Sequence, residues 1–271
     1  MRYEGKQYQV NGIAMNVVIE GKGPDILLVH GFPDSHDVWR HQIPVLVAAG
    51  FRVIAPDTRG CGASAILPKV GDYVMANLVA DLVGLLDVLG IQKVRLVGHD
   101  WGAIISWHLA INHPERITRY VAISVGHPNA FARAGLLQKI KSYYILVLLM
   151  RGISEFFARQ CNWLLFRLMT NYSDEFPRWR AQLSRPGRFT AGANYYRANP
   201  GMLRCQAYPS VKVPVLGIWS SADIFLTEAQ MKNSAAYVQE SWHYLRIEGA
   251  NHWIPLSAPQ QLNRALLDYL T

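Results

Sequence analysis

The sequence predicts an α/β fold: a mostly parallel, eight-stranded sheet flanked by helices, with an inserted helical cap. Short apolar runs alternate with longer helical patterns, which is typical of βαβ units and a parallel sheet. This alternation stops after Ser124 and resumes near Val213, so the residues between them are predicted to form a separate helical unit. Apolar residues make up 51% and charged residues 17% of the 271 residues, which is ordinary for a globular protein with a sizeable core.

The strands are predicted from continuous apolar runs, which favour buried strands when turn residues bound them. The run at 52–55, for example, follows Gly50 and precedes Pro56. The first two runs are expected to form an antiparallel hairpin at the edge of the sheet. The predicted strands are residues 8–10, 15–19, 26–29, 52–55, 94–97, 120–123, 215–219 and 244–247. Helical patterns between strands include 74–89 and 101–112.

The insertion divides the chain into three predicted parts: a first core segment at 1–128, a helical cap at 129–210 and a second core segment at 211–271. The cap is rich in aromatic residues. Its most apolar run, 143–150, is far shorter than the ~20 residues that a membrane-spanning helix needs. We therefore expect this run to be a buried or lid helix, and we expect no stable membrane insertion.

The charge balance is basic, with a formal net charge of +8. Because Lys and Arg are scattered, we expect a solvated basic surface and no nucleic-acid partner. Three widely spaced cysteines, Cys61, Cys161 and Cys205, match neither a zinc site nor a disulfide scaffold. A reducing compartment is then expected, and since residues 1–6 contain no apolar signal core, the predicted location is the cytoplasm.

The strongest local signal is Gly98-His99-Asp100-Trp101-Gly102, which follows the strand at 94–97 and opens a helix. This glycine spacing is typical of a nucleophile elbow, a sharp strand-to-helix turn that exposes its central side chain. Small neighbours are needed because the central residue has a strained backbone geometry. Asp100 is central, so we predict that its carboxylate is a nucleophile. The alternative is that Asp100 only caps the helix that begins at Trp101.

A second signal is His30-Gly31-Phe32-Pro33, directly after the strand at 26–29. The loop after that strand can supply an oxyanion donor, so the N–H groups of Phe32 and Trp101 are predicted to form an oxyanion hole. We expect His30 itself to be a structural loop histidine.

Two further signals are Asp223 and His252, which follow the last two predicted strands. Open α/β sheets place their ligand crevice at the carboxyl ends of the strands. We therefore predict that His252 is a general base and that Asp223 orients it and stabilises its charged form. Alone, Asp223 would be interpreted as a turn residue.

Together these motifs resemble the α/β-hydrolases of the soluble epoxide hydrolase family over essentially the whole chain. The order nucleophile, acid, base along the chain is the one found in α/β-hydrolases. Most of the matching segments are shared with haloalkane and haloacetate dehalogenases, so they indicate the Asp-nucleophile branch better than the substrate. The resemblance rests on His30-Gly31-Phe32-Pro33, Asp57-Thr58-Arg59-Gly60-Cys61-Gly62-Ala63-Ser64, Gly98-His99-Asp100-Trp101-Gly102, His127-Pro128 and Asn251-His252.

The resemblance also nominates two cap tyrosines, because epoxide hydrolases similar to this chain bind the epoxide oxygen with such a pair. Asn194-Tyr195-Tyr196-Arg197 matches the late segment of the cap and nominates Tyr196. Tyr143-Tyr144, followed by an apolar run, matches the other segment and nominates Tyr144, although Leu149 and Arg151 stand where the family often has Gln and Pro. The alternative is that both tyrosines belong to the core of the cap.

The activity implied by the resemblance is opening of an epoxide to a vicinal diol through an alkyl ester of Asp100. Tyr144 and Tyr196 would bind the ring oxygen and donate a proton, and Phe32, Trp101 and Trp253 would contact the substrate. The implied partners are a small apolar epoxide and water, without metal or cofactor. The chain is expected to be a monomer or a homodimer.

Two alternatives stay open at this stage. A haloalkane or haloacetate dehalogenase would need donors for a leaving halide: Trp101 could be one, and a cap residue such as Trp163 or Trp179 another. Phe32 stands where haloalkane enzymes usually have Asn, and Trp101 and Ala103 stand where haloacetate enzymes have arginines. A noncatalytic small-molecule sensor on the same fold is the second alternative, and the intact set of Asp100, Asp223 and His252 argues against it.

Overall fold

A computed structural model describes residues 3–271, apart from the side chain of Cys161, and its centre is a single sheet. The sheet has eight strands in the order β1-β2-β4-β3-β5-β6-β7-β8. The strands are β1 (Lys6–Val10), β2 (Ile13–Glu20), β3 (Asp25–Val29), β4 (Arg52–Pro56), β5 (Val94–His99), β6 (Ile117–Ile123), β7 (Val215–Ser220) and β8 (Trp242–Ile247).

The strand pairing confirms the predicted hairpin and the mostly parallel sheet. β1 and β2 are antiparallel and are joined by a turn at Asn11 and Gly12, both of which have positive φ angles. β2 also pairs antiparallel with β4, whereas β3 to β8 pair in parallel. The central strands are buried on both faces, which explains why they read as continuous apolar runs rather than as alternating ones.

Helices cover both faces of the sheet and form the segment between β6 and β7. The α-helices are α1 (Ile43–Ala48), α2 (Met75–Val88), α3 (Trp101–Asn112), α4 (Pro128–Ala132), α5 (Gly135–Lys141), α6 (Tyr143–Leu149), α7 (Ile153–Arg159), α8 (Leu164–Thr170), α9 (Phe176–Leu183), α10 (Arg188–Ala198), α11 (Glu228–Lys232), α12 (Ile254–Ser257) and α13 (Pro259–Leu270). Short 3-10 helices lie at His36–Trp39, Val70–Tyr73, Pro114–Arg116, Gln160–Trp163, Pro200–Leu203 and Asn233–Tyr237. Within residues 3–271 no helix is both long and apolar enough to cross a membrane.

The helices differ in how they use their apolar residues. α13 buries one stripe, Leu262, Leu266 and Leu270, at the four-residue spacing of a surface helix. In contrast, α3 is buried around nearly its whole circumference, including Trp101 and Trp107. Because α3 is packed on nearly all sides, it holds Asp100, the residue that precedes it, in a fixed position.

The helical segment between β6 and β7 packs over the carboxyl ends of the strands. Arg40 and Glu175 join the core to this segment through a largely buried ion pair of 2.6 Å. On α10, Arg188 donates hydrogen bonds to the backbone oxygens of Cys61 and Ser64. The apolar run predicted as a buried or lid helix forms α6. The division into a cap at 129–210 and two core segments stays a prediction.

Candidate active site

The predicted elbow is a strained turn between β5 and α3. Asp100 has φ 53° and ψ −122°, a backbone conformation that residues with a Cβ atom rarely adopt. Close approach also explains the glycines: a Cβ atom on Gly31 would collide with Oδ1 of Asp100, and one on Gly102 with the carbonyl of Val29. The carbonyl of Asp100 accepts the first hydrogen bonds of α3, but its side chain caps no amide of that helix by hydrogen bonding. The helix-cap alternative therefore does not explain this residue.

The carboxylate of Asp100 is held by different partners on its two oxygens. Oδ1 accepts a hydrogen bond of 2.8 Å from the backbone N–H of Phe32, and Oδ2 lies 3.4 Å from Nε2 of His252. Burial raises the pKa of Asp100, but the polar contact with His252 and the charge of that residue outweigh burial. The net pKa lies below the ordinary value, so the carboxylate is ionised at neutral pH.

His252 lies between two carboxylates. Its Nδ1 atom is 2.8 Å from Oδ2 of Asp223, and its Nε2 atom faces Asp100. Burial lowers the pKa of His252, whereas Asp223 and then Asp100 raise it, and the result is a pKa of about 10. In the resting protein His252 is thus an imidazolium, and its ability to act as a base depends on the charge of Asp100.

The loop that carries Asp223 fixes its orientation. Its Oδ1 atom accepts the backbone N–H groups of Phe225 and Leu226 at 2.8 and 2.9 Å, which leaves Oδ2 for His252. The ammonium of Lys141, on α5, donates to the backbone carbonyl of Asp223 at 2.6 Å. Lys141 was not predicted, and no sequence signal points to it.

The position of His252 is fixed through its own backbone carbonyl. This oxygen accepts hydrogen bonds from Nε2 of His99 at 2.9 Å and from Oγ of Ser124 at 3.0 Å. His99 precedes Asp100, and burial lowers the pKa of His99 to about 4, so it is neutral. Sequence reasoning missed both anchors, although Ser124 directly follows the predicted strand at 120–123 and His99 lies within the predicted elbow motif.

His30 has the structural role that was expected for it. It is fully buried, and its Nε2 atom accepts the backbone N–H of Thr58 at 3.0 Å. Burial lowers the pKa of His30, which is consistent with a neutral ring in this acceptor role. Through this bond His30 ties the loop after β3 to the loop after β4.

The two nominated tyrosines lie over the carboxylate of Asp100. Tyr196 is 4% exposed, and its ring packs edge-on against those of Trp101 and Phe32, with centroids 5.0 and 6.3 Å away. Tyr144 is half-buried on α6, with its ring centroid 6.1 Å from that of Tyr196. Burial raises the pKa of both phenols, and the charge of Asp100 raises it further, so both keep their protons at neutral pH.

Two small cavities flank Asp100, and both are also lined by Tyr144 and Tyr196. Each has a volume of about 30 Å³, which is room for roughly one water molecule. The first is otherwise apolar and is walled by residues such as Ile104 and Phe131. The second is also lined by Phe32, Pro33, Leu148, Phe166, Met169, Thr170, Phe225, His252 and Trp253. The predicted substrate contacts Phe32, Trp101 and Trp253 thus all lie on these cavity walls.

Asp34 was not predicted as a site residue, yet it joins the helical segment between β6 and β7 to the loop that carries His252. Its buried carboxyl group accepts the indole N–H of Trp179 at 2.7 Å and that of Trp253 at 3.1 Å. Burial raises the pKa of Asp34 to about 8, although the bond from Trp179 lowers it. Because the indole N–H of Trp179 is already bonded, Trp179 is not a free donor for a halide.

The site therefore has an ionised carboxylate on a strained elbow, a histidine held by a second carboxylate, and two protonated phenols above them. The sequence pattern of the α/β hydrolase fold matches residues 24–259 of this chain. The chain belongs to the α/β-hydrolase family.

Named relatives within this family are similar over nearly the whole chain. The AB hydrolase superfamily protein YfhM of Bacillus subtilis is 34% identical, over 96% of this chain and 95% of the relative. Epoxide hydrolase A of Mycobacterium tuberculosis is 32% identical over the same shares. Among solved structures, epoxide hydrolase VrEH1 from Vigna radiata has a TM-score of 0.85 at 28% identity, covering 99% of this chain and 98% of that one. These relatives group the chain with the epoxide hydrolases of the family.

Proposed function

We propose that this protein is an epoxide hydrolase that opens an epoxide to a vicinal diol through a covalent ester on Asp100. The observation that carries the proposal is the pair of protonated phenols, Tyr144 and Tyr196, which line the same cavities as the carboxylate of Asp100. An epoxide must receive a proton as its ring opens, whereas a halide leaves without one. The names of the relatives support the same reaction.

In the first step, Oδ2 of Asp100 attacks an epoxide carbon from the back. The carbon–oxygen bond of the ring breaks, and a proton from one of the two phenols goes to the ring oxygen. The other carboxylate oxygen, Oδ1, keeps its hydrogen bond from Phe32. This step gives an alkyl-aspartyl ester and a tyrosinate.

Ester formation removes the negative charge of Asp100, which is one of the causes of the high pKa of His252. The pKa of His252 then falls, and its proton returns through solvent to the tyrosinate. The base thus becomes neutral only after the ester has formed, so the chemistry of the first half-reaction activates the second.

In the second step, neutral His252 takes a proton from a water molecule whose oxygen attacks the ester carbon of Asp100. The amides of Phe32 and Trp101 stabilise the oxyanion, a type of interaction worth about 3–4 kcal/mol. Collapse breaks the bond to the alkyl oxygen, and the departing alkoxide takes the proton of the new carboxyl group. The diol leaves, and Asp100 and protonated His252 are restored.

The substrate class is a small apolar epoxide, because aromatic and aliphatic side chains form most of the cavity walls. Since each cavity holds about one water molecule, the helical segment has to move before an epoxide of this size can enter. We propose on this basis that residues 129–210 act as a cap.

The test is to incubate the protein with styrene oxide and, separately, with 1-bromobutane, and to follow diol and bromide. We expect diol from styrene oxide and no enzyme-dependent bromide. Bromide without diol would overturn the proposal in favour of a dehalogenase, and neither product would favour a noncatalytic sensor.

A further inference from the structure

The exposed apolar residues of this protein are concentrated in one stretch of helices that contact one another in sequence. Of the sixteen large apolar side chains exposed among the described residues, thirteen lie between Leu136 and Leu168, on α5 to α8 and the turns between them. Several are more than half exposed, including Leu146 at 64% and Phe156 at 58%. We call the outward side of residues 135–168 the outer cap face. Large apolar side chains exposed in such number on neighbouring helices mark an interaction surface.

Two helices of the outer cap face, α5 and α7, are inverted relative to ordinary surface helices. On α7, Ser154 and Ala158 face inward, whereas Phe156 and Phe157 face solvent. α5 likewise buries Gln138 and exposes its leucines. A helix that only had to cover a core would place its largest apolar residues inward. The inverted pattern indicates that the outward side is built to contact an apolar partner.

The charges on this face identify the partner. Residues 135–168 contain five Lys or Arg and a single acid, Glu155. Glu155 is paired with Arg197 at 2.8 Å, so it does not offset the charge of the face. Lys139, Arg151, Arg159 and Arg167 are exposed beside the apolar side chains. Apolar side chains interleaved with basic ones are the combination that binds the surface of an anionic bilayer.

We propose that the outer cap face binds peripherally to an anionic phospholipid bilayer. Leucine and phenylalanine side chains enter the boundary between headgroups and acyl chains, while the basic side chains contact lipid phosphates. A second copy of the chain fits this face less well, because a two-fold contact would bring two sets of exposed cations together. The proposal does not depend on the epoxide hydrolase activity.

The experiment is flotation of the purified full chain with two kinds of vesicle. One kind contains phosphatidylcholine and phosphatidylglycerol in equal parts, and the other contains phosphatidylcholine alone. We expect binding to the anionic vesicles, at least about tenfold weaker binding to the neutral ones, and release at about 1 M NaCl, where the Debye length falls to about 3 Å. Wild-type protein that does not float with anionic vesicles would overturn the proposal.

Matched variants test both parts of the face. We expect the double variants Leu146→Gln/Leu168→Gln and Arg151→Gln/Arg159→Gln each to lower binding about tenfold or more, with unchanged thermal stability. Val88→Gln and Lys93→Gln are the controls, since both residues are exposed on the core, and these variants are expected to bind like the wild type. Either of two results would contradict the proposal. One is that the leucine double variant binds anionic vesicles as strongly as the wild type. The other is that the wild type binds no vesicles and light scattering shows a dimer that dissociates in this variant.

Discussion

Nε2 of His252 and Oδ2 of Asp100 face each other at 3.4 Å in a site from which water is almost excluded. The distance is longer than that between Nδ1 of His252 and Asp223, which is 2.8 Å. His252 is thus oriented mainly by Asp223, and the gap toward Asp100 is where a water molecule would have to enter.

The variant His252→Gln is expected to trap the first half-reaction. Asp100 can still attack the epoxide, but without an imidazole the ester is not hydrolysed, and turnover falls by about 10³-fold or more. Intact-mass spectrometry after incubation with styrene oxide should show a single adduct on the protein. Asp100→Asn is the control and should stay unmodified; an adduct there, or none in His252→Gln after measurable turnover, would contradict the ester route.

Replacement of Tyr196 by Phe is expected to lower kcat with styrene oxide up to about 10²-fold. This is the lower end of the range for general acid catalysis, because Tyr144 remains. The neighbouring variant Tyr195→Phe is a matched control: the hydroxyl of Tyr195 donates to the carbonyl of Arg59, away from the cavities. It should lose about 1 kcal/mol of stability and keep its kcat. Equal kcat losses in both variants would count against the role of Tyr196.

Tyr144→Phe should also lower kcat, and Tyr143→Phe serves as its matched control. Tyr144 lines both cavities, whereas Tyr143 is 60% exposed on the outside of α6. We expect the double variant Tyr144→Phe/Tyr196→Phe to be slower than either single variant, since no phenol is left to protonate the ring oxygen. Steady-state kinetics would contradict this if the double variant retained the rate of Tyr196→Phe alone.

The pH dependence of stability follows from the raised pKa of His252. Its folded pKa of about 10 lies above the unfolded value of 6.5, so the stabilising contribution is complete below pH 6.5 and is lost as the pH rises through 10. Thermal unfolding of the wild type should therefore shift to lower temperature between pH 7 and about pH 10. The shift should be smaller in His252→Gln, and an equal shift in both proteins would contradict the assignment.

The half-reactions should respond differently to acid. The lowered pKa of Asp100 keeps the nucleophile ionised, so ester formation in single-turnover experiments should persist at mildly acidic pH. Hydrolysis of the ester needs neutral His252, and we expect kcat to fall at a higher pH than the rate of ester formation does. Stopped-flow experiments can measure both rates from pH 5 to pH 9. If ester formation and ester hydrolysis slowed at the same acidic pH, the result would contradict the proposed role of neutral His252.

Asp34→Asn should destabilise the protein by about 1–3 kcal/mol. The carboxyl group of Asp34 accepts an indole N–H on each oxygen, whereas an amide has only one acceptor atom and would turn its own donor toward one of the indoles. Denaturant unfolding measures the loss, and Trp179→Phe should show a partial effect because the bond from Trp253 remains. Wild-type stability in Asp34→Asn would show that these bonds contribute little.

The apolar runs in the sequence were sufficient to predict the fold. The residues that follow these runs predicted that the candidate site lies at the carboxyl ends of the strands. The apolar runs at 26–29, 120–123 and 215–219 predicted strands without information on their partners, because strands buried on both faces carry apolar residues on both faces. Gly98, Asp100 and Gly102 likewise encode a turn within a few residues. Such strands and turns depend on the residue types at consecutive positions, so the sequence predicts them without knowledge of tertiary contacts.

Tertiary structure alone decided which distant groups complete the site. His99 and Ser124 hold the carbonyl of His252, and Asp34 joins Trp179 to Trp253, over separations of up to 219 residues. The inverted orientation of α5 and α7 was also invisible in composition, which suggested only a solvated basic surface. Sequence periodicity indicates that a helix has an apolar side, but only packing against the core determines whether that side faces inward or toward solvent.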